Sequence, residues 1–179
     1  MAGLVFRGCP GSGLPSYVRE VAPAIVWDRD ETLNHDPGYL RLWSDFRWRD
    51  GALDALARAE ALGFRNLVAT NQSGITKGML TEAELLELSE RMMAEAPISA
   101  IVYCLHESGQ GCPARKPLPG MIDALDAVLG IDRPQSVMIG DRTTDIQCGE
   151  AAGLVTCLSR PGESLLMVLE QALSQLETA

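Results

Sequence analysis

Short apolar runs that end abruptly in charge alternate along this chain with stretches whose apolar residues recur every three or four positions. Ala24-Ile25-Val26-Trp27, closed by Asp28, predicts a buried strand. Residues 51–62 place Leu53, Leu56, Ala57 and Leu62 on an amphipathic helix that Gly63 closes. Residues 66–70 form the next apolar run. Thr81-Glu82-Ala83-Glu84 then opens a helix with a capping-box pattern that runs to Ala96, where Pro97 stops it. Strands at 98–103, 136–139 and 154–158 alternate with helices at 119–129, 146–152 and 163–176. Strict alternation predicts a single Rossmann-like α/β domain, with a mainly parallel sheet and helices on both faces.

Composition narrows the classes. The 179 residues (19.3 kDa) suit one domain, expected to span 23–179 behind an N-terminal arm of residues 1–22. Lys and Arg number 15 against 24 Asp and Glu, a net charge of −9, which argues against binding nucleic acid by backbone charge. No run approaches about 18 apolar residues, so no membrane span is expected, and the first residues lack the pattern of a signal peptide. Five cysteines, an odd number spread through a chain able to build its own core, read as a reduced, cytoplasmic protein.

The candidate chemistry lies just past the strand ends. Asp28-Arg29-Asp30 follows the first expected strand, Thr70-Asn71-Gln72-Ser73-Gly74 the second, Arg115-Lys116-Pro117 the third and its loop, and Gly140-Asp141-Arg142-Thr143-Thr144-Asp145 the fourth. A polar turn explains any one of these alone, but a parallel sheet brings all four to one edge, where ligands bind. Asp28, Asp30, Asp141 and Asp145 together would repel, and a hard Mg²⁺ ion, sharing oxygen ligands with a phosphate, resolves that repulsion. Lys116 and the Thr70 hydroxyl would contact the remaining phosphoryl oxygens. One carboxylate can then attack phosphorus while a second protonates the leaving oxygen and later activates water.

These four segments, read as Asp28-Arg29-Asp30-Glu31-Thr32-Leu33-Asn34, Thr70-Asn71-Gln72-Ser73-Gly74-Ile75, Arg115-Lys116-Pro117 and Gly140-Asp141-Arg142, resemble the four motifs of the haloacid dehalogenase (HAD) superfamily. More narrowly, they resemble its group of D-glycero-D-manno-heptose 1,7-bisphosphate 7-phosphatases and histidinol-phosphate phosphatases. The resemblance implies Asp28 as nucleophile, Asp30 as general acid/base, and Thr70 and Lys116 as stabilisers of the transferred group. It implies Mg²⁺ held by Asp28, the backbone carbonyl of Asp30, and Asp141, with Asp145 acting directly, through water or by positioning its neighbours. Asn34, Asp36, Gly38, Tyr39, Asn71, Gln72, Ser73, Arg115 and Arg142 are the expected substrate contacts. Glu31 stands where the family has Gly, so a positive φ there would strain it, and its charge could oppose an anionic substrate. The gaps 32–66 and 74–103 leave no room for a cap domain, which assigns substrate selection to loops 34–48 and 104–114.

The loop Cys104-Leu105-His106…Cys112-Pro113-Ala114 resembles the group's C-x-H…C-x-C zinc loop, with Ala114 in place of the fourth ligand. Structural zinc takes four protein ligands. The loop therefore reads as a relic shaped by Gly109, Gly111 and Pro113, or as a zinc site of Cys104, His106 and Cys112 completed by water, Glu107 or an outside thiol. Cys9, Cys148 and Cys157 read as small packing residues. Trp43, Phe46 and Trp48 read as loop packing that could also wall the substrate site.

The heptose bisphosphate is the expected substrate of a monomer or weak oligomer, with Arg115 and Arg142 as a second anion site. The short 104–114 loop favours histidinol phosphate instead. The N-terminal Gly8-Cys9-Pro10-Gly11-Ser12-Gly13-Leu14-Pro15 has the glycines of a phosphate-binding loop but Leu14 and Pro15 where lysine and a hydroxyl are needed, so a nucleic-acid 3′-phosphatase is disfavoured. A catalytically silent HAD-like binder has only Glu31 and the incomplete zinc loop in its favour.

Overall fold

The computed structural model describes residues 3–9, 11–15 and 20–178. In chain order these form β1 (Leu4–Arg7), β2 (Ala24–Trp27), α1 (Ala52–Ala61), β3 (Arg65–Asn71), α2 (Glu82–Glu95), β4 (Ile98–Cys104), α3 (Gly120–Leu129), β5 (Val137–Gly140), α4 (Thr143–Ala151), β6 (Val155–Leu158) and α5 (Leu165–Leu176). The strands make one sheet in the order β1-β4-β3-β2-β5-β6, every neighbouring pair parallel. The α/β expectation therefore holds, with shifts of one to three residues at several boundaries.

Central strands are apolar on both faces because both are covered. Ile25 and Trp27 of β2 point with Val68, Ile101 and Ile139 into a core closed by Leu56 of α1, Met92 of α2 and Leu169 of α5. Ala24 and Val26 point the other way, with Leu67, Val102 and Met138, against Met121 and Leu125 of α3 and Cys148 of α4. The capping box of α2 is formed: Glu84 N–H donates to Thr81 Oγ1 at 3.2 Å, and Thr81 N–H donates to the Glu84 carboxylate at 2.6 Å. Gly51 opens α1 at φ 72, and a Cβ there would collide with Ser164 at the start of α5.

The expected arm gives way at β1. Residues 4–7 add an edge strand beside β4, with Leu4 opposite Ala100 and Arg7 opposite Tyr103. Four residues, only Phe6 among them buried, are too few to show a periodicity. Residues 1, 2, 10 and 16–19 of that arm, and with Pro10 part of the glycine-rich stretch, lie outside the described residues.

Between Thr32 and Asn66 the chain holds a 3-10 turn (Trp43–Asp45) and α1, and between Gly74 and Tyr103 it holds α2 and most of β4, so neither gap contains a separately folded lid. Trp43 stacks on Phe46 at 4.4 Å, Phe46 meets Trp48 edge-on at 4.8 Å, and the three pack onto the α1/α5 core rather than on the cavity described below. Among the described residues no helix is long and apolar enough to cross a membrane.

One buried amide ties three elements together. Asn66 Oδ1 accepts from the Trp27 indole N–H at 3.0 Å, while its Nδ2 donates to Leu56 O at 2.8 Å and Pro97 O at 3.0 Å. Replacing Asn66 by Ala strands one buried donor and two carbonyls, so Asn66→Ala should lose about 1–3 kcal/mol in urea unfolding at unchanged m-value.

Candidate active site

From β2 the chain steps outward to β3 and β4, then returns to place β5 on the other side of β2, so a topological switch lies between β2 and β5. Asp28 stands there: its N–H donates to Ile139 O at 2.8 Å and extends the β2–β5 ladder by one residue. Asp141 and Asp145 follow β5, and oxygens of Asp28, Asp141 and Asp145 all lie within 4.8 Å of one another. Thr70 and Asn71 end the adjacent strand β3. The sheet has gathered the expected segments at one edge.

Lys116 fills the centre of this group. Its buried ammonium donates to Asp28 Oδ1 at 2.5 Å and Ala69 O at 2.8 Å, and pairs with Asp145 Oδ1 at 2.7 Å. Burial alone would push its pKa down, but the charges of Asp28 and Asp145 outweigh that and hold it above the ordinary lysine value. Burial pushes the Asp28 carboxyl up to about 7, with Lys116 pulling against and Asp145 and Asp30 adding repulsion. Asp141 is likewise raised, by burial and then by Asp145. An all-oxygen donor set that holds its charge reluctantly is the chemistry a hard divalent cation fits.

Asp30 is held from three sides. Arg29 donates to its two oxygens at 2.9 and 3.0 Å, Gln72 Nε2 donates to Oδ2 at 2.8 Å, and Asn34 Nδ2 donates to Oδ1 at 3.3 Å. The Gln72 amide also donates to Thr70 Oγ1 at 2.8 Å, linking the β2 and β3 ends. Asn71 exchanges two bonds of 3.2 Å with the backbone of Lys116 and so fixes where that side chain starts. Asp145 accepts from Arg142 N–H at 2.9 Å, which leaves its other oxygen to Lys116.

A cavity of about 900 Å³ opens above these groups. Asp28, Asp30, Asp36, Gly38, Tyr39, Thr70, Asn71, Gln72, Ser73, Arg115, Lys116, Arg142 and Asp145 line it. Asn34 is fully buried and lies off the wall: it positions Asp30 instead of facing the cavity. Asp141 also lies off the wall, within hydrogen-bond reach of Thr32 Oγ1 at 3.5 Å. Lys77 joins the wall unannounced, 6.0 Å from the Tyr39 ring centroid; its only sequence signal was a cation shortly after the Thr70–Gly74 segment. Arg29 and Arg49 were also missed, since a buried arginine declares itself only through its partners.

Glu31 has a positive φ, 59°. Its carboxylate accepts from Asp36 N–H at 2.6 Å and its carbonyl accepts from Arg49 Nη1 at 2.5 Å, so the side chain is engaged outside the cavity wall.

The expectation for Cys9 is corrected. It does not merely pack: Cys9 Sγ lies 3.6 Å from Cys104 Sγ and 3.3 Å from His106 Nδ1, and Cys104 Sγ lies 3.7 Å from Cys112 Sγ. Parallel pairing of β1 with β4 causes this, because the strand ends carry Cys9 and Cys104 to the same edge. Glu107 is absent from that donor group, and Ala114 is buried beside it. Cys148 and Cys157 are buried away from it, as expected of packing residues, and all five thiols are free.

Comparison with known proteins agrees with this geometry. The HAD-hydrolase-like family matches residues 113–174. The D-glycero-β-D-manno-heptose-1,7-bisphosphate 7-phosphatase of Yersinia pestis is 39% identical over 146 residues, covering 75% of this chain and 78% of its own. The enzyme of the same name from Escherichia coli K12 is 38% identical over 163 residues, covering 84% and 85%. The crystal structure of D,D-heptose 1,7-bisphosphate phosphatase from B. bronchiseptica, complexed with magnesium and phosphate, superposes with a TM-score of 0.75 at 28% identity, over 86% of this chain and 99% of that one.

Because Asp28 and Asp141 hold protons more tightly than free carboxyls, a cation must displace protons to bind. Mg²⁺ affinity should therefore rise as pH climbs to about 7 and flatten above it, with proton release below that point. Calorimetry in two buffers of different ionisation enthalpy checks this; pH-independent binding without proton release contradicts it.

Proposed function

This chain belongs to the HAD-like hydrolases, and we propose that it is a Mg²⁺-dependent phosphomonoesterase removing the 7-phosphate of D-glycero-D-manno-heptose 1,7-bisphosphate in the cytoplasm. The observation that carries the reading is the Lys116 ammonium, buried between Asp28 and Asp145 at the switch point and open to a cavity large enough for a phosphorylated sugar. The relatives' names supply the sugar.

Asp28 is the nucleophile. One of its oxygens attacks phosphorus, the bond from phosphorus to the sugar oxygen breaks, and Asp30 gives its proton to the departing oxygen. Asp30 then takes a proton from water, whose oxygen attacks the aspartyl-phosphate and frees Asp28 and inorganic phosphate. Arg29 and Gln72 hold Asp30 for both transfers. Lys116 and Thr70 balance the charge that builds on the transferred group. Asp28, Asp141 and the backbone carbonyl of Asp30 would hold Mg²⁺, with Asp145 fixing Lys116 beside them; the ion supplies charge neutralisation that lets a carboxylate approach an anionic phosphate.

Arg115, Arg142 and Lys77 on the outer wall suit the phosphate that is not cleaved. Arg115 Nη1 donates to His106 O at 2.6 Å, so its position depends on the cysteine loop. That loop holds a structural zinc-type ion through Cys104, His106 and Cys112, one that shapes the wall and takes no part in the chemistry.

Turnover of a substrate panel with Mg²⁺ tests the reading. The heptose bisphosphate should be hydrolysed faster than histidinol phosphate, and Asp28→Asn should lower kcat by about 10³-fold or more with the fold intact. Faster turnover of histidinol phosphate overturns the substrate, and undiminished activity in Asp28→Asn overturns the nucleophile.

A further inference from the structure

We propose that Cys9 is the fourth ligand of the zinc-type site, so that one metal ion fastens the N-terminal edge strand to the wall of the substrate cavity. The proposal rests on the reading that the 104–112 loop binds a metal, and adds the ligand that the loop itself lacks at Ala114.

The four donors already stand at the corners of a coordination polyhedron. Zinc with arms of about 2.3 Å to sulfur and 2.0–2.1 Å to nitrogen requires sulfur–sulfur edges of about 3.8 Å and sulfur–nitrogen edges of about 3.5 Å. The sulfur–sulfur edges measure 3.6 Å (Cys9–Cys104) and 3.7 Å (Cys104–Cys112), and the sulfur–nitrogen edges 3.3 Å (Cys9–His106) and 3.6 Å (Cys104–His106). All four ligand atoms lie within 4.8 Å of one another, and the three cysteines are buried. Packing alone explains two touching thiols. It does not explain an imidazole nitrogen turned onto the same point from a half-buried loop residue.

The fold delivers Cys9 by register. Arg7 sits opposite Tyr103, and Gly8 N–H donates to Tyr103 O at 3.0 Å, which carries the next residue alongside Cys104. A Cβ at Gly8 would lie 2.9 Å from both Met121 Cγ and Val102 Cγ2, so only glycine lets the chain lie that close to α3. Gly109, Gly111 and Cys112 of the same loop line the cavity. Metal loading therefore orders β1 and the cavity wall in one event.

The test uses the whole chain with zinc or cobalt. Wild type should retain about one equivalent of zinc by elemental mass spectrometry. Its Co²⁺ form should show a tetrahedral spectrum with three-thiolate charge-transfer intensity. Cys9→Ser should lower that intensity to about two-thirds and release zinc to a chelator about ten-fold more readily, while Cys148→Ser, a buried thiol outside the cluster, should match wild type. In wild type, zinc should also slow alkylation of Cys9 together with Cys104 and Cys112, a readout that survives should Cys9→Ser fail to fold. A protein that binds no zinc at all overturns the loop reading and this proposal together. One equivalent of zinc, with cobalt intensity unchanged in Cys9→Ser or with Cys9 alkylated as fast as without metal, overturns the assignment of Cys9 alone.

Discussion

A buried ammonium group is tolerable only when its donors meet charge or strong acceptors, and Lys116 meets two carboxylates and a carbonyl at the floor of the cavity. The reverse dependence is as strict. Asp28 approaches from the end of β2 and Asp145 from the first turn of α4, and without the cation between them they would repel at short range. Removing one member of such a buried set typically costs about 3–5 kcal/mol, because the remainder is left uncompensated. The Asn71 clamp on the Lys116 backbone, the Gln72 bridge from Thr70 to Asp30 and the Asp145 bond to Arg142 N–H all act to keep this arrangement in place. The cations Lys77, Arg115 and Arg142 stand farther out on the cavity wall, where they offset for an anionic substrate the field of a chain whose net charge is −9.

The sequence displayed the parts of this design that depend on strand order. Three of the motifs stood just after an apolar run and the fourth, with Lys116, after the loop that follows β4, and a parallel sheet brings strand-end positions to one edge. Asp28, Thr70, Lys116 and Asp145 were legible for that reason. Roles carried by sideways contacts were not: Asn34 looks like a substrate amide in one dimension yet is buried beneath Asp30, and Asn71, which does line the cavity, also grips the Lys116 backbone. Cys9 was the hardest to read. Its partner in the cluster is 95 residues away, and the contact arises only because a four-residue strand joins the sheet edge.

Glu31 shows how local strain is absorbed next to a demanding site. A left-handed backbone at a residue with a Cβ costs on the order of 1–3 kcal/mol. Here Glu31 accepts two short hydrogen bonds, one from the Asp36 amide and one from Arg49, and Arg49 also donates to Ser159 Oγ at 3.0 Å and to the carbonyls of Arg160 and Glu163. The turn after β2 is thereby tied to the chain after β6, and the carboxylate is drawn away from the cluster it would otherwise burden.

The edge strand is held by its ladder to β4, by Phe6, which is buried, and by Leu4 and Val5, which pack half-buried onto the cores; the Arg7–Glu82 pair lies near the surface, where ion pairs contribute about 0–1 kcal/mol. At the edge of the sheet it has a neighbour on one side alone. The proposed metal bond at its carboxyl end would change that balance, because an ion there would link Cys9 to Cys104 on β4 and to the loop whose His106 carbonyl holds Arg115. Moving one ligand from position 114 to position 9 thus does more than complete a tetrahedron. It would draw the N-terminal segment into the fold and make the placement of Arg115 on the cavity wall depend on it.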